Sequence, residues 1–328
     1  MDNKSIQQIF SISNQAQFEE LTLQVFAFQF QNNPVYKRYC EYLQKAPENV
    51  HQVMDIPFLP IEFFKSHKVI SSNKVPQAVF ESSGTTSENT SKHFVTDLEV
   101  YQQSFLKGFT NFYGPVEDYC ILALLPSYLE REGSSLICMV NNLIQQSKHS
   151  DSGFYLNNLN DLNQKLIQLQ DKGIKCLLVG VSFALLDLAE QFPMDLSHTI
   201  VMETGGMKGR RRELIREELH SILKTAFHVP KIHSEYGMTE LLSQAYSQGD
   251  GSFQYPPWMK IIIRDTEDPL GIQPYGKTGG INVIDLANVN SCSFIATQDL
   301  GKVHPTGTFE VLGRFDNSDI RGCNLLAI

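Results

Sequence analysis

HTIVMETGG, residues 198–206, runs from β-branched and apolar residues into an acid, a threonine and two glycines. A strand buried on both faces reads this way, apolar almost throughout rather than alternating. The glycines let the backbone turn sharply, and RRELIREELHSILKTAF (211–227) follows at helical spacing. Strand, glycine turn and helix form the unit of parallel sheets, and ligands gather at the carboxyl ends of such strands. The same unit recurs outward from here. YCILALLP (119–126) and IKCLLVG (174–180) read as buried strands, while SSLICMVNNLIQQ (134–146) and LNDLNQKLIQLQD (159–171) read as helices. The predicted class is therefore α/β, with mostly parallel sheets flanked by helices.

The flanks are different in character. Residues 15–44 carry apolar side chains at helical spacing with a break at Asn33 and Pro34, which predicts two successive helices. From residue 256 onward WMKIIIRD, GGINVIDL, CSFIATQDL and FEVLGRF read as strands joined by polar turns, with no helix long enough to cross over. The expected organisation is an N-terminal helical segment over 1–55, a core over 56–314 that is β-rich from about 256, and a tail over 315–328.

Composition narrows the function classes. The chain has 328 residues, 42% hydrophobic and 19% charged, which suits a globular protein with one large domain or two smaller ones. A formal net charge of -9 speaks against a nucleic-acid binder that works by counterion release. The six cysteines (Cys40, Cys120, Cys138, Cys176, Cys292 and Cys323) show neither paired spacing nor histidines at zinc spacing, so reduced thiols are expected. No apolar run approaches the roughly 20 residues of a membrane helix, and no signal core opens the chain, so a cytoplasmic location is expected.

Four loops carry candidate chemistry. ESSGTTSENTSKHFV (81–95) clusters hydroxyls around one glycine. Its plain reading is a linker, but successive amides near Gly84 together with Ser82, Ser83, Thr85 and Thr86 form a set suited to gripping phosphate. ETGGMKG (203–209) follows a strand. HSEYGMTE (233–240) follows another and offers an aromatic ring, a glycine, a hydroxyl and a carboxylate, a set suited to a nucleotide base and hydrated magnesium. ATQDLG (296–301) ends a strand on an aspartate placed to accept ribose hydroxyls. Neither GxxxxGK[ST] nor a strand-borne GxGxxG is present, so the common nucleotide cradles are excluded. KGRRRE (208–213) reads as a solvated charged face, and His233 as a structural histidine.

Taken in order, SSGTTS, ETGG, YGMTE, TQDLG and GRFD resemble the adenylate-forming enzymes, which include acyl-CoA synthetases, luciferases and peptide adenylation domains. LLPSYLEREGSSL, METGGMKGRR, EYGMTELLSQAY, DLANVNSCSFIATQDLG and RGCNLL look like the LuxE-type acyl-protein synthetases, over roughly residues 55–328. The resemblance implies the large-domain fold of that family and a two-step reaction. A carboxylate attacks the α-phosphate of Mg-ATP, and a thiol then takes the acyl group. It implies a phosphate loop of Ser82, Ser83, Gly84, Thr85, Thr86 and Ser87 with Lys92, and an adenine border at Gly205 and Gly206. Tyr236 and Gly237 would lie at the base, Thr239 at the α-phosphate, Glu240 on magnesium, and Asp299 with Arg314 at the ribose. Cys323 is implied as the acyl acceptor, its thiolate favoured by Arg321, with an acyl reductase or carrier as partner. The family's small C-terminal domain, roughly a hundred residues, a usual size for a separate module, has no counterpart after Arg314, and LLPSYLE places Tyr128 where the family often has a histidine.

Other classes stay open at this stage. GVSFA (180–184) approaches a nucleophile elbow, with Ser182, Asp285 or Asp299 and His304 in triad order, although Ala184 breaks the motif. A non-catalytic nucleotide or acyl binder is the third class, and transfer to free coenzyme A is a variant of the first.

Overall fold

The computed structural model describes residues 1, 3–82, 90–126, 133–156, 158–205 and 214–315. Ser83, Gly84, Thr85, Thr86, Ser87, Tyr128, Gly206, Lys208, Arg210, Arg321 and Cys323 lie outside the described residues. In chain order the helices are α1 (Asn3–Ile9), α2 (Gln15–Asn32), α3 (Pro34–Tyr42), α4 (Phe63–Ser66), α5 (Leu98–Tyr113), α6 (Ser135–Ser147), α7 (Leu159–Asp171), α8 (Ser182–Gln191) and α9 (Arg216–Phe227). The strands are β1 (Leu59–Pro60), β2 (Ala78–Glu81), β3 (Lys92–Val95), β4 (Cys120–Leu124), β5 (Gly153–Tyr155), β6 (Cys176–Val181), β7 (Thr199–Thr204), β8 (His233–Tyr236), β9 (Ala245–Ser247), β10 (Phe253–Gln254), β11 (Met259–Arg264), β12 (Gly279–Asp285), β13 (Phe294–Val303) and β14 (Phe309–Arg314).

The chain divides into two compact units, one of residues 1–76, 93–96 and 257–328, the other of residues 77–92 and 97–256. In the second unit β5, β4, β6, β7 and β8 run parallel in that spatial order, and β9 and β10 continue beyond β8 antiparallel. Every residue of β4 and β6 is buried, as their apolar runs require. Local chemistry starts the crossover helices. Asp97, Ser134 and Asn158 each accept a backbone N–H from the first turn of α5, α6 and α7. α6 packs on β4, and α8 packs on β6 and β7 and against α9.

In the first unit β11, β12, β13 and β14 form an antiparallel array, and β1 runs parallel to β13. One residue makes the predicted helical break. Asn33 closes α2 through its N–H to Gln29, and its side-chain oxygen accepts from Val35 and Tyr36 to open α3, where Pro34 needs no donor. These helices pack on the C-terminal strands of their own unit. The Gln29 amide donates to the carbonyls of Asn288 and Val289, and Tyr36 stacks on Phe294 at 5.8 Å. Among the described residues no helix is long and apolar enough to cross a membrane.

Two boundaries differ from the sequence reading. HSEY does not follow a strand; it is β8, so the turn begins only at Gly237. Asp299 lies inside β13 rather than at its end. The buried positions in its middle are Thr297, Asp299 and Gly301, with half-buried residues between them, so the apolar inward face that marks how far a strand runs is missing there.

Candidate active site

The parallel register of β7 and β8 sets Glu203 beside Ser234 and Thr204 beside Glu235. ETGG and YGMTE thus leave the sheet side by side. Gly205, with φ of 68°, takes the chain out of β7 in a conformation other residues reach only with strain. Glu240, 5% exposed, sits in the turn that follows β8, with Thr239 more open beside it.

Glu203 is a buried charge with several partners. Arg216 Nε lies 3.4 Å from one carboxylate oxygen and His220 Nε2 3.7 Å from the same oxygen, and Ser182 Oγ lies 3.4 Å from the other. Desolvation pushes its proton affinity up, yet the hydrogen bond from His220 and the charge of Arg216 outweigh it and hold the carboxyl below its ordinary range. The Arg216 guanidinium also lies over Phe253, 5.0 Å from the ring centre. Phe253 in turn meets the Tyr236 ring edge-on at 6.1 Å. One arginine therefore links the acid of ETGG to the ring of YGMTE.

Glu235 stands in the opposite electrostatic condition. Desolvation pushes it up to about 7, opposed by the Thr204 hydroxyl and reinforced by the neighbouring charge of Glu203. Thr204 Oγ1 donates to Glu235 Oε2 at 2.5 Å. The sequence reading passed over this residue. Its signal was an acid in a strand directly before an aromatic and a glycine, which composition and spacing alone do not mark as unusual.

The hydroxyl stretch is closed at its base. Ser82 donates its N–H to the Ser91 carbonyl at 3.1 Å, and its hydroxyl accepts the Ser91 N–H at 2.9 Å. Lys92 pairs with Glu81 at 3.5 Å, both side chains about half exposed, a contact weak enough to yield to another anion. In the first unit Asp299 faces Arg314 across the β13–β14 ladder, and Arg314 Nε donates to its carboxylate at 3.3 Å. Asp299 is buried while the Arg314 side chain is 81% exposed. The glycine of TQDLG is structural. A side chain on Gly301 would strike the Glu310 carbonyl, so the bulge after Leu300 requires glycine.

Each triad candidate is engaged within its own unit. Ser182 is buried at the start of α8 and spends its hydroxyl on the Gly205 carbonyl at 2.7 Å. His304 is engaged by Glu310 at 2.7 Å, and Asp285 caps its own turn through the Ala287 N–H. His233 shares a hydrogen bond with the Tyr113 hydroxyl at 3.2 Å, and desolvation, with the charges of Lys231 and His220, lowers it to about 4. It is a neutral structural histidine near pH 7.

Residues 7–126 match the family model described as acyl-protein synthetase, LuxE. No curated protein matches the chain. Among solved structures, 2-hydroxyisobutyryl-CoA ligase in its postadenylation state with 2-HIB-AMP superposes with a TM-score of 0.67 at 12% identity, over 93% of this chain and 70% of that one. ATP-bound MatB from Rhodopseudomonas palustris superposes with a TM-score of 0.56 at 17% identity, over 75% of this chain and 49% of that one. The chain thus spans about half the length of the MatB structures.

Proposed function

We propose, for a chain that has the fold of the adenylate-forming ligases and matches the acyl-protein synthetases over residues 7–126, that it is an AMP-forming acid–thiol ligase. The observation that carries the reading is the pairing of ETGG with YGMTE at the carboxyl ends of adjacent parallel strands, with a buried carboxylate, Glu240, in the following turn. The substrate carboxylate attacks the α-phosphorus of ATP, the bond to the pyrophosphate oxygen breaks, and acyl-AMP forms. A thiolate then adds at the acyl carbonyl and AMP leaves.

This chemistry asks for positioning and charge neutralisation more than for a strong acid or base. In this reading Thr239 bonds the α-phosphate, Ser82, Ser83, Gly84, Thr85, Thr86 and Ser87 with Lys92 hold the triphosphate, and Tyr236 and Gly237 border the base with Gly205 and Gly206. Asp299 accepts the ribose hydroxyls. Glu240 holds magnesium, which neutralises charge on the phosphates. Among the described residues no three ligating side chains cluster, and one buried carboxylate suits a magnesium ion that arrives on the triphosphate and keeps several waters.

The acceptor in this reading is Cys323, and the acyl class a fatty acid relayed to a reductase or carrier. Cys40, Cys120, Cys176 and Cys292 are buried; desolvation pushes Cys40 up to about 12 and raises Cys138 and Cys292, while the hydrogen bond with Cys176 lowers Cys120, which burial keeps from an acyl group. If free coenzyme A is the acceptor instead, Cys323→Ser leaves thioester formation intact.

Asp299→Ala should raise the KM for ATP about tenfold or more with little change in kcat, because charge-assisted hydrogen bonds are worth roughly 1.5–3 kcal/mol each. A matching fall in kcat with KM unchanged would contradict the ribose role. The reading itself is tested by trapping. With ATP, magnesium and a fatty-acid panel, hydroxylamine should capture an acyl-hydroxamate in step with AMP release, and ATP binding with no hydroxamate from any acid would refute it.

A further inference from the structure

The carboxyl of Glu235 lies where the two signature loops leave the sheet. Thr204, the second residue of ETGG, donates to one of its oxygens. The other lies so close to Gly237 that a side chain there would displace it, so the glycine of YGMTE is the space into which this carboxyl folds. Glu235 is thus held from β7 on one side and seated under the turn on the other.

We propose that Glu235 is the positioning residue of this site, its carboxyl locking the end of β7 to the turn that carries Thr239 and Glu240. The effect on rate rests on the adenylation reading above; the lock itself does not. Its surroundings favour the neutral acid. From β7 the charge of Glu203 acts on it, and Arg216 and His220 of α9 are engaged on Glu203. Tyr113 from α5 and Tyr246 from β9 are its titratable neighbours, and burial raises both. His233, on its own strand, is neutral near pH 7. Glu235 and Tyr246 also share a cavity of about 10 Å³ whose other walls include Phe109, Met139, Leu177, Val179 and Met202, about the room of one water. Ionisation would put an uncompensated charge in this desolvated place, with the Glu203 charge adding a smaller repulsion from the neighbouring strand, and would strain the Thr204 link.

The sign of the pH effect follows. A carboxyl with a folded-state affinity near 7 against an ordinary 4.5 gives stability that is complete below pH 4.5 and lost as pH rises through about 7. The test takes the full chain as wild type, Glu235→Gln and Glu235→Ala. Melting temperature measured from pH 4.5 to 8 should fall in the wild type relative to Glu235→Gln, which keeps the Thr204 bond without the charge. Superimposable curves would overturn the lock whatever the activity. Acid-dependent pyrophosphate exchange should fall roughly tenfold per pH unit above about 7 in the wild type, the behaviour of one essential proton. Glu235→Gln should lose that alkaline fall and Glu235→Ala should be slow at every pH. Equal rates for the alanine and glutamine variants would also overturn it. Diverging melting curves with no exchange for any acid would instead support the lock and refute adenylation.

Discussion

Glu240→Ala should lower acid-dependent ATP–pyrophosphate exchange by about 100- to 1000-fold, the usual order of loss when one preorganised electrostatic group is removed from a reacting centre. The expectation rests on where the residue sits. It follows β8 in a turn, its side chain is 5% exposed, and it directly succeeds Thr239. In the adenylation reading this carboxylate would hold the magnesium ion that accompanies the triphosphate. Glu240→Gln, which keeps size and hydrogen bonding but not charge, should lose nearly as much. Melting and near-UV spectra of both variants separate lost chemistry from lost folding. An exchange rate within threefold of the wild type in a folded Glu240→Gln protein would remove this residue from the metal role.

Glu203→Ala should cost about 3 kcal/mol of stability, read as a lower urea midpoint, because it leaves Arg216 without its counter-ion and takes the neighbouring carboxylate from the buried His220. The loss should exceed that of any exposed ion pair in the molecule, such as Lys37 with Glu41 at 4.0 Å, where less than about 1 kcal/mol is at stake. The same change also frees Arg216 from the end of β7, so its stacking on Phe253, and through it the setting of Tyr236, loses one anchor. A midpoint indistinguishable from the wild type would show that the network contributes no net stability and that the acid of ETGG is kept for another reason.

Much of the frame was legible because burial leaves a mark in the sequence. Runs such as CILAL and CLLVGV are apolar throughout because both faces of β4 and β6 are covered, and α7 spans 159–171, the range its periodicity predicts. The Asn33–Pro34 break was legible because a capping side chain and a missing N–H are local chemistry. What depends on pairing between distant residues was not. The N-terminal helices join the β-rich C-terminal part in one unit through contacts such as Gln29 with Asn288, which no local pattern encodes. β9 and β10, three and two residues long, fall below the length at which alternation can be recognised. In the site, the motifs were readable as strings of residue types. The opposed states of Glu203 and Glu235 were not, because they follow from the register of β7 on β8 and from one helix that brings Arg216 and His220 to the first acid and none to the second.

The most direct measurement of the central claim is ATP–pyrophosphate exchange by the purified full chain with magnesium and a panel of fatty and aryl acids. Adenylation predicts exchange that requires one class of acid and vanishes without it. Clear ATP binding with no exchange for any acid would contradict the account, leaving a nucleotide-binding protein that does not activate carboxylates.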